Sequence, residues 1–203
     1  MDASRYLIAC GDCTGHGVPG AMMTVVGSSA LNHIVLENNV LQPSQILQEL
    51  NHHISSTLRQ QRDHEYFVND GMDIAVVLVD KKEMKLTIAS ARRPIVHISN
   101  QHLTEIPANR VSLGGLNLGA KQFTDTEITF KTDDVLYLYT DGITDQFGGP
   151  ELKKFSKKRL HQILFRLHGI KMQEQKQRLE KTINDWQGTQ EQIDDILLIG
   201  IKF

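Results

Sequence analysis

The stretch GDCTGHGVPG (residues 11–20) governs how the rest of the chain is read. It follows an apolar run, Tyr6-Leu7-Ile8-Ala9-Cys10, that predicts a buried strand over residues 5–11. Asp12 comes at the end of that run, glycines stand on both sides of His16, and Pro19 opens a helix-like segment. A strand that ends on a carboxylate and turns through glycines aims that carboxylate into a cleft. Gly15 and Gly17 permit φ > 0 or a close approach of backbone to ligand. Pro19 suits a first helical turn, where its missing N–H costs nothing. Two readings stay open on these residues alone: a site, or a glycine turn that joins strand to helix.

Working outward, Met22, Val25, Val26, Leu31, Ile34 and Val35 fall at helix-like spacing over residues 19–37. Small Gly27, Ser28 and Ser29 lie between them and would let the helix pack close to a sheet. Pro43-Ser44 opens a second amphipathic helix, with Ile46, Leu47, Leu50, Ile54 and Leu58 on one stripe. His52 and His53 point about 100° apart on that helix, a poor arrangement for sharing a metal. Residues 63–70 are polar and read as a loop. Strand signals at residues 74–79, 85–89 and 95–98 then predict an antiparallel meander. Arg92 and Arg93 sit between two of those strands, where they either face a phosphate or belong to a sheet turn. VSLGGLNLGA (residues 111–120) lacks the lysine and following helix of a phosphate-binding loop.

Further strands are expected at residues 127–130 and 135–139. The second delivers Thr140-Asp141-Gly142, again a carboxylate at a strand terminus followed by glycine. Residues 151–181 turn basic and fit two helices, read as a solvated face or as a docking surface for an acidic or phosphorylated partner. Asp194-Asp195 stand at the start of a closing strand over residues 196–201. Antiparallel pairing would bring them beside strand ends carrying Asp12 and Asp141.

With 203 residues, 40% apolar and 23% charged, the chain is consistent with one soluble domain, residues 1–203, able to bury a core. A net charge of -2 gives no pull towards nucleic acid or acidic membranes. No apolar run is long enough to span a bilayer, so a cytoplasmic location is expected. Cys10 and Cys13 form C-G-D-C, which raises a thiol redox or zinc site as a competing reading. Structural zinc usually takes four Cys or His ligands, and only His16 is near in sequence.

Asp12-Cys13-Thr14-Gly15-His16-Gly17, Asp70-Gly71-Met72-Asp73, Thr140-Asp141-Gly142 and Asp194-Asp195-Ile196 occur in that order. Together they resemble the motifs of the SpoIIE-like family, the bacterial branch of the metal-dependent type 2C protein phosphatases. The resemblance implies an α/β (α+β) fold, a β-sandwich of two antiparallel sheets flanked by helices (αββα). It implies hydrolysis of a phosphoserine or phosphothreonine on a regulatory protein such as a STAS-type anti-sigma-factor antagonist. Oxygen ligands without soft donors select Mg2+ or Mn2+.

Carried over, Asp12 bridges two metals, Asp141 and Asp194 hold one of them, and the Cys13 carbonyl joins the other. Asp195 is the alternative to Asp194 if the register slips. His16 is the candidate general acid for the leaving oxygen. Asp70 and Asp73 read first as turn residues before a strand and second as ligands. The family also carries an acid in an upstream G-G-D strand that has no counterpart here. One metal should therefore bind well and the other poorly, and the exposed sheet edge should favour a homodimer. A catalytically impaired module that binds its phosphoprotein without turnover is the competing class.

Overall fold

A computed structural model describes residues 4–15, 17–58, 70–115 and 121–203. In chain order the elements begin with β1 (Arg5–Cys13), α1 (Gly17–Asn32), a π-helical stretch His33–Glu37, α2 (Pro43–Thr57), β2 (Gly71–Asp80) and β3 (Lys85–Ala91). Next come β4 (Ile95–Ser99), β5 (His102–Ile106), β6 (Leu113–Gly114), β7 (Thr126–Thr129), β8 (Val135–Tyr139) and α3 (Asp141–Asp145). Last are β9 (Phe147–Gly148), β10 (Lys153–Lys154), α4 (Lys157–Leu167), α5 (Met172–Gln187) and β11 (Leu198–Lys202). Backbone contacts divide the chain into two compact units, Met1–Pro94 with Pro107–Thr129 and Ile95–Ile106 with Phe130–Phe203. Each unit holds an antiparallel sheet with helices packed on it, the mixed α/β class expected.

In the first unit the sheet order is β1-β2-β3-β7, with β6 paired to the start of β2. β1 is an edge strand and pairs with β2 over its whole length, from Arg5↔Asp80 to Cys13↔Met72. Its strand character runs two residues past the expected end, so Asp12 and Cys13 belong to the ladder rather than to the loop. Ile46, Leu47, Leu50 and Ile54 of α2 are fully buried beside Val76, Ala91 and Leu113. The α2 N-terminus is anchored by Asp125, whose carboxylate accepts from the Ser44 backbone N–H (2.8 Å) and hydroxyl (2.7 Å). A carboxylate there answers the unpaired first-turn donors and the positive end of the helix dipole.

The helical segment buries only part of the face expected: Ile34 is buried and Leu31 and Val35 pack against the core, but the inner stripe of α1 itself is made by other residues. Gly20, Met23, Gly27, Ala30 and then Ile34 face inward, whereas Met22 and Val25 are 65% and 69% exposed. Small residues fill the inner stripe, and Gly27 leaves room for the terminal methyl of Met72 on β2, which a Cβ there would displace. The helix begins at Gly17, so Pro19 is its third residue rather than its first.

In the second unit the order is β11-β8-β4-β5, and every residue of β8 is buried. The expected meander therefore breaks. β4 leaves β3 and pairs with β8 and β5 in the other sheet. Arg92 takes a left-handed turn (φ 58°) and Pro94 has no ladder donor, which together end β3's sheet locally. Phe155, Leu160, Leu164 and Leu179 of the α4–α5 region pack over this sheet, and the buried Tyr137 hydroxyl donates to Gln175 Oε1 at 2.6 Å. Most cations of the basic segment have acidic neighbours, including Lys157–Glu105, Arg178–Glu174 and Lys181–Asp185. Those pairs fit a solvated helical face. Among the described residues no helix is long and apolar enough to cross a membrane.

Candidate functional site

In the first unit the Asp12 motif is stapled to the Asp70 motif by Thr14. The Thr14 N–H donates to the Gly71 carbonyl at 2.9 Å. Its hydroxyl donates to the same carbonyl and accepts from the Gly71 N–H, both at 3.1 Å. A Cβ on Gly71 would collide with the Leu113 carbonyl, so glycine is required where β2 and β6 meet. Beyond Thr14 the chain turns through Gly15 and Gly17, both left-handed (φ 91° and 67°), into α1. His16 itself lies outside the described residues, as do Asp2, residues 59–69 and Gly119.

Asp12 stands directly opposite Asp73 in the β1–β2 ladder. Asp73 is thus a strand residue, not the turn residue expected. Like charges at opposed positions repel, and the buried Arg93 relieves them. Its Nη2 donates to Asp12 Oδ2 at 2.6 Å and lies 3.9 Å from Asp73 Oδ2. The Arg93 side chain is 8% exposed and that of Asp12 16%. A charge-assisted bond of this length in a partly desolvated place is among the strong ones. The doublet Arg92-Arg93 was visible in the sequence, but not which arginine turns inward. The left-handed Arg92 decides it, leaving Arg92 exposed and its neighbour buried.

The cysteines do not form the redox or zinc pair. Both are free and both lie on β1, three residues apart, so they point to opposite faces. Burial pushes the Cys10 thiol up to about 11, against a smaller lowering by Arg93, with Asp12 adding to the rise. Burial also raises Cys13, partly offset by the Thr24 hydroxyl, which donates to its sulfur at 3.8 Å. Protonated thiols are poor nucleophiles and poor ligands for zinc.

In the second unit Thr140 and Gly142 bring the Asp141 and Asp194 motifs together. The Thr140 N–H donates to the Leu197 carbonyl at 3.0 Å, one step beyond the β8–β11 ladder. The Thr140 hydroxyl donates to the Asp195 carbonyl at 2.8 Å and accepts from the Leu197 N–H at 3.0 Å. A Cβ on Gly142 would run into the Asp194–Asp195 backbone, so only glycine lets the two segments touch. Asp141 opens the five-residue α3, an element not foreseen, and Thr144 closes that turn by donating to the Asp141 carbonyl at 3.0 Å. Asp194 Oδ1 accepts from the Asp195 N–H at 2.7 Å, and Gln192 donates to the Asp194 carbonyl at 2.9 Å. β11 begins at Leu198, two residues later than expected, so both acids sit on a segment held by these bonds rather than by a ladder.

Residues 2–203 match the family model described as Stage II sporulation protein E (SpoIIE). The chain belongs to the SpoIIE family. Among solved structures it is similar to the SiaA-PP2C domain of Pseudomonas aeruginosa, at 28% identity and a TM-score of 0.89, over 100% of this chain and 78% of that one. It is also similar to the PP2C phosphatase domain, with a fragment of the regulatory domain, of the cell-fate determinant SpoIIE from Bacillus subtilis. That likeness has 15% identity and a TM-score of 0.71, over 98% of this chain and 54% of that one. RsbX in complex with magnesium matches at 14% identity and a TM-score of 0.64, over 98% of this chain and 82% of that one. No curated protein sequence matches. The fold of this SpoIIE-family chain is that of the type 2C phosphatases, which are metal-dependent enzymes.

Proposed function

We propose that this SpoIIE-family chain is a protein serine/threonine phosphatase dependent on Mn2+ or Mg2+. Its substrate class is a phosphoserine or phosphothreonine on a regulatory protein, of the STAS antagonist kind or similar, in the cytoplasm. The observation that carries the reading is the family match across residues 2–203. All four motifs lie inside it, and within each unit a threonine laces one motif to the next.

Asp12, Asp141, Asp194 and the Cys13 carbonyl are the proposed ligands. Their chemistry fits a hard cation: carboxylate and carbonyl oxygens, with the nearby thiols held protonated by burial. When bound, such an ion lowers the pKa of a water and offsets charge growing on the phosphoryl oxygens. Asp12 holds its place in the ladder and on Arg93, so its carboxylate is oriented before any ligand arrives. His16 is the proposed donor of a proton to the departing serine or threonine oxygen. Asp194 is the proposed ligand of the pair, as the family resemblance implies, with Asp195 as the alternative.

The test is hydrolysis of p-nitrophenyl phosphate and of a phosphoserine peptide with added Mn2+, compared with Asp12→Ala. A loss of at least about 100-fold in the variant is expected, since removing one component of such a site costs on that order or more. Equal rates for both proteins would leave only the non-catalytic binding role.

A further inference from the structure

We propose that Arg93 is a built-in cation of the metal centre and that the chain takes up one Mn2+ rather than two. Its guanidinium holds Asp12 Oδ2, an oxygen that a bridging carboxylate would give to a second ion. This inference rests on the phosphatase reading above. A carboxylate that bridges two divalent ions through its two oxygens would need Oδ2, and here that oxygen carries a 2.6 Å bond to Nη2 with a positive charge behind it, which repels a second cation. The ladder sets Asp73 opposite Asp12, and the same Nη2 lies 3.9 Å from it. One buried guanidinium thus offsets one of the two opposed negative charges and places a positive charge where a second ion would have to approach.

The placement is built into the backbone. Arg92 turns through φ 58°, its N–H donates to the Asn109 carbonyl at 2.8 Å, and the Ser90 hydroxyl donates to the Arg93 carbonyl. These bonds fix the turn from which Arg93 reaches inward past the strand end. A guanidinium keeps its proton throughout the working pH range, so the charge is permanent. It cannot polarise a water as a Lewis acid, so its part is to position Asp12 and to occupy the second cation's place.

The experiment is equilibrium dialysis of the whole chain against Mn2+, with bound metal counted by mass spectrometry and its electron paramagnetic resonance recorded. The wild type should hold one Mn2+ per chain and give the six-line spectrum of an isolated ion. Arg93→Ala should take up a second ion at the uncovered Asp12–Asp73 pair and give a spin-coupled spectrum. Arg93→Met, which keeps much of the side-chain bulk without the donor or the charge, should do the same and serves if the alanine variant does not fold. Arg93→Lys should stay at one. Two coupled ions in the wild type, or no gain in either neutral variant, would overturn the role of Arg93 and leave the phosphatase reading standing. No Mn2+ uptake by the wild type would remove both.

Discussion

Two threonines do the same job in the two units, in different surroundings. Thr14 ties the Asp12 strand end to Gly71, and Thr140 ties the Asp141 strand end to Asp195 and Leu197. Each hydroxyl both donates and accepts, and each stands beside a motif carboxylate. In the first unit the joined partners are neighbouring strands, already in register from Arg5 to Cys13. In the second unit residues 194–197 precede β11 and lack that ladder. Thr140 and Gly142 must therefore supply what strand pairing supplies elsewhere. The lesson is that a motif threonine backs up a ladder in one place and stands in for it in the other.

Glycine substitutions should break this comparison most visibly. In Gly142→Ala the new methyl meets the Asp194–Asp195 backbone, which has to move. Displacing a ligand by about 1 Å is expected to cost about 100-fold in Mn2+-dependent hydrolysis. Gly71→Ala meets the Leu113 carbonyl. There the expected effect is mainly on stability, about 1–3 kcal/mol, as for other overpacked sites. Initial rates and urea midpoints of both variants, side by side, check the contrast; equal losses of activity would erase it.

Removing the hydroxyls sharpens it further. Thr14→Val and Thr140→Val each strand backbone groups that the hydroxyl had served, at about 1–3 kcal/mol. Thr140→Val should in addition weaken Mn2+ binding and speed exchange of the Leu197 amide. Thr14→Val should leave metal affinity near the wild-type value, because the β1–β2 register survives. Titration calorimetry and amide exchange separate the two outcomes.

The smallest effect concerns His161, which lies behind the Asp141 strand end. Its Nε2 is 3.0 Å from the Tyr139 hydroxyl. Burial holds the imidazole below its usual range, Glu105 acts the other way, and Lys157 adds to the lowering. The unfolded chain then binds the proton more readily than the folded one. This contribution to stability is present above about pH 6.5 and is lost as pH falls through the lowered folded value. His161→Gln should flatten that part of the stability profile, read as melting temperature from about pH 7.5 down to 5.

Much of the scaffold was legible in local pattern. β8, α2 and the two helices of the basic segment follow from apolar runs and helical spacing. Asp12 and Asp141 stood out in the sequence as acids closing apolar strand runs. The inner face of α1 was not legible. Met22 and Val25 are larger and more apolar than Gly27 or Ala30, yet the small residues are the buried ones, with Gly27 leaving room for Met72 of β2. Arg93 was not legible either. A doublet of arginines before a proline carries no signal for which one is buried, and backbone handedness at Arg92 settles it.

What the sequence by itself determined is the order of four acid-bearing motifs, the elements that carry them and, through them, the family. These are local properties, set by side-chain periodicity and by turns that only glycine accommodates. The tertiary structure alone decided that β4 joins β8 instead of β3, that Arg93 covers Asp12, and that the segment before β11 closes on Gly142. Those outcomes depend on which of several equally apolar edges a strand meets and on how closely two backbones approach. Such choices are made between residues distant in the chain, where no local pattern records them.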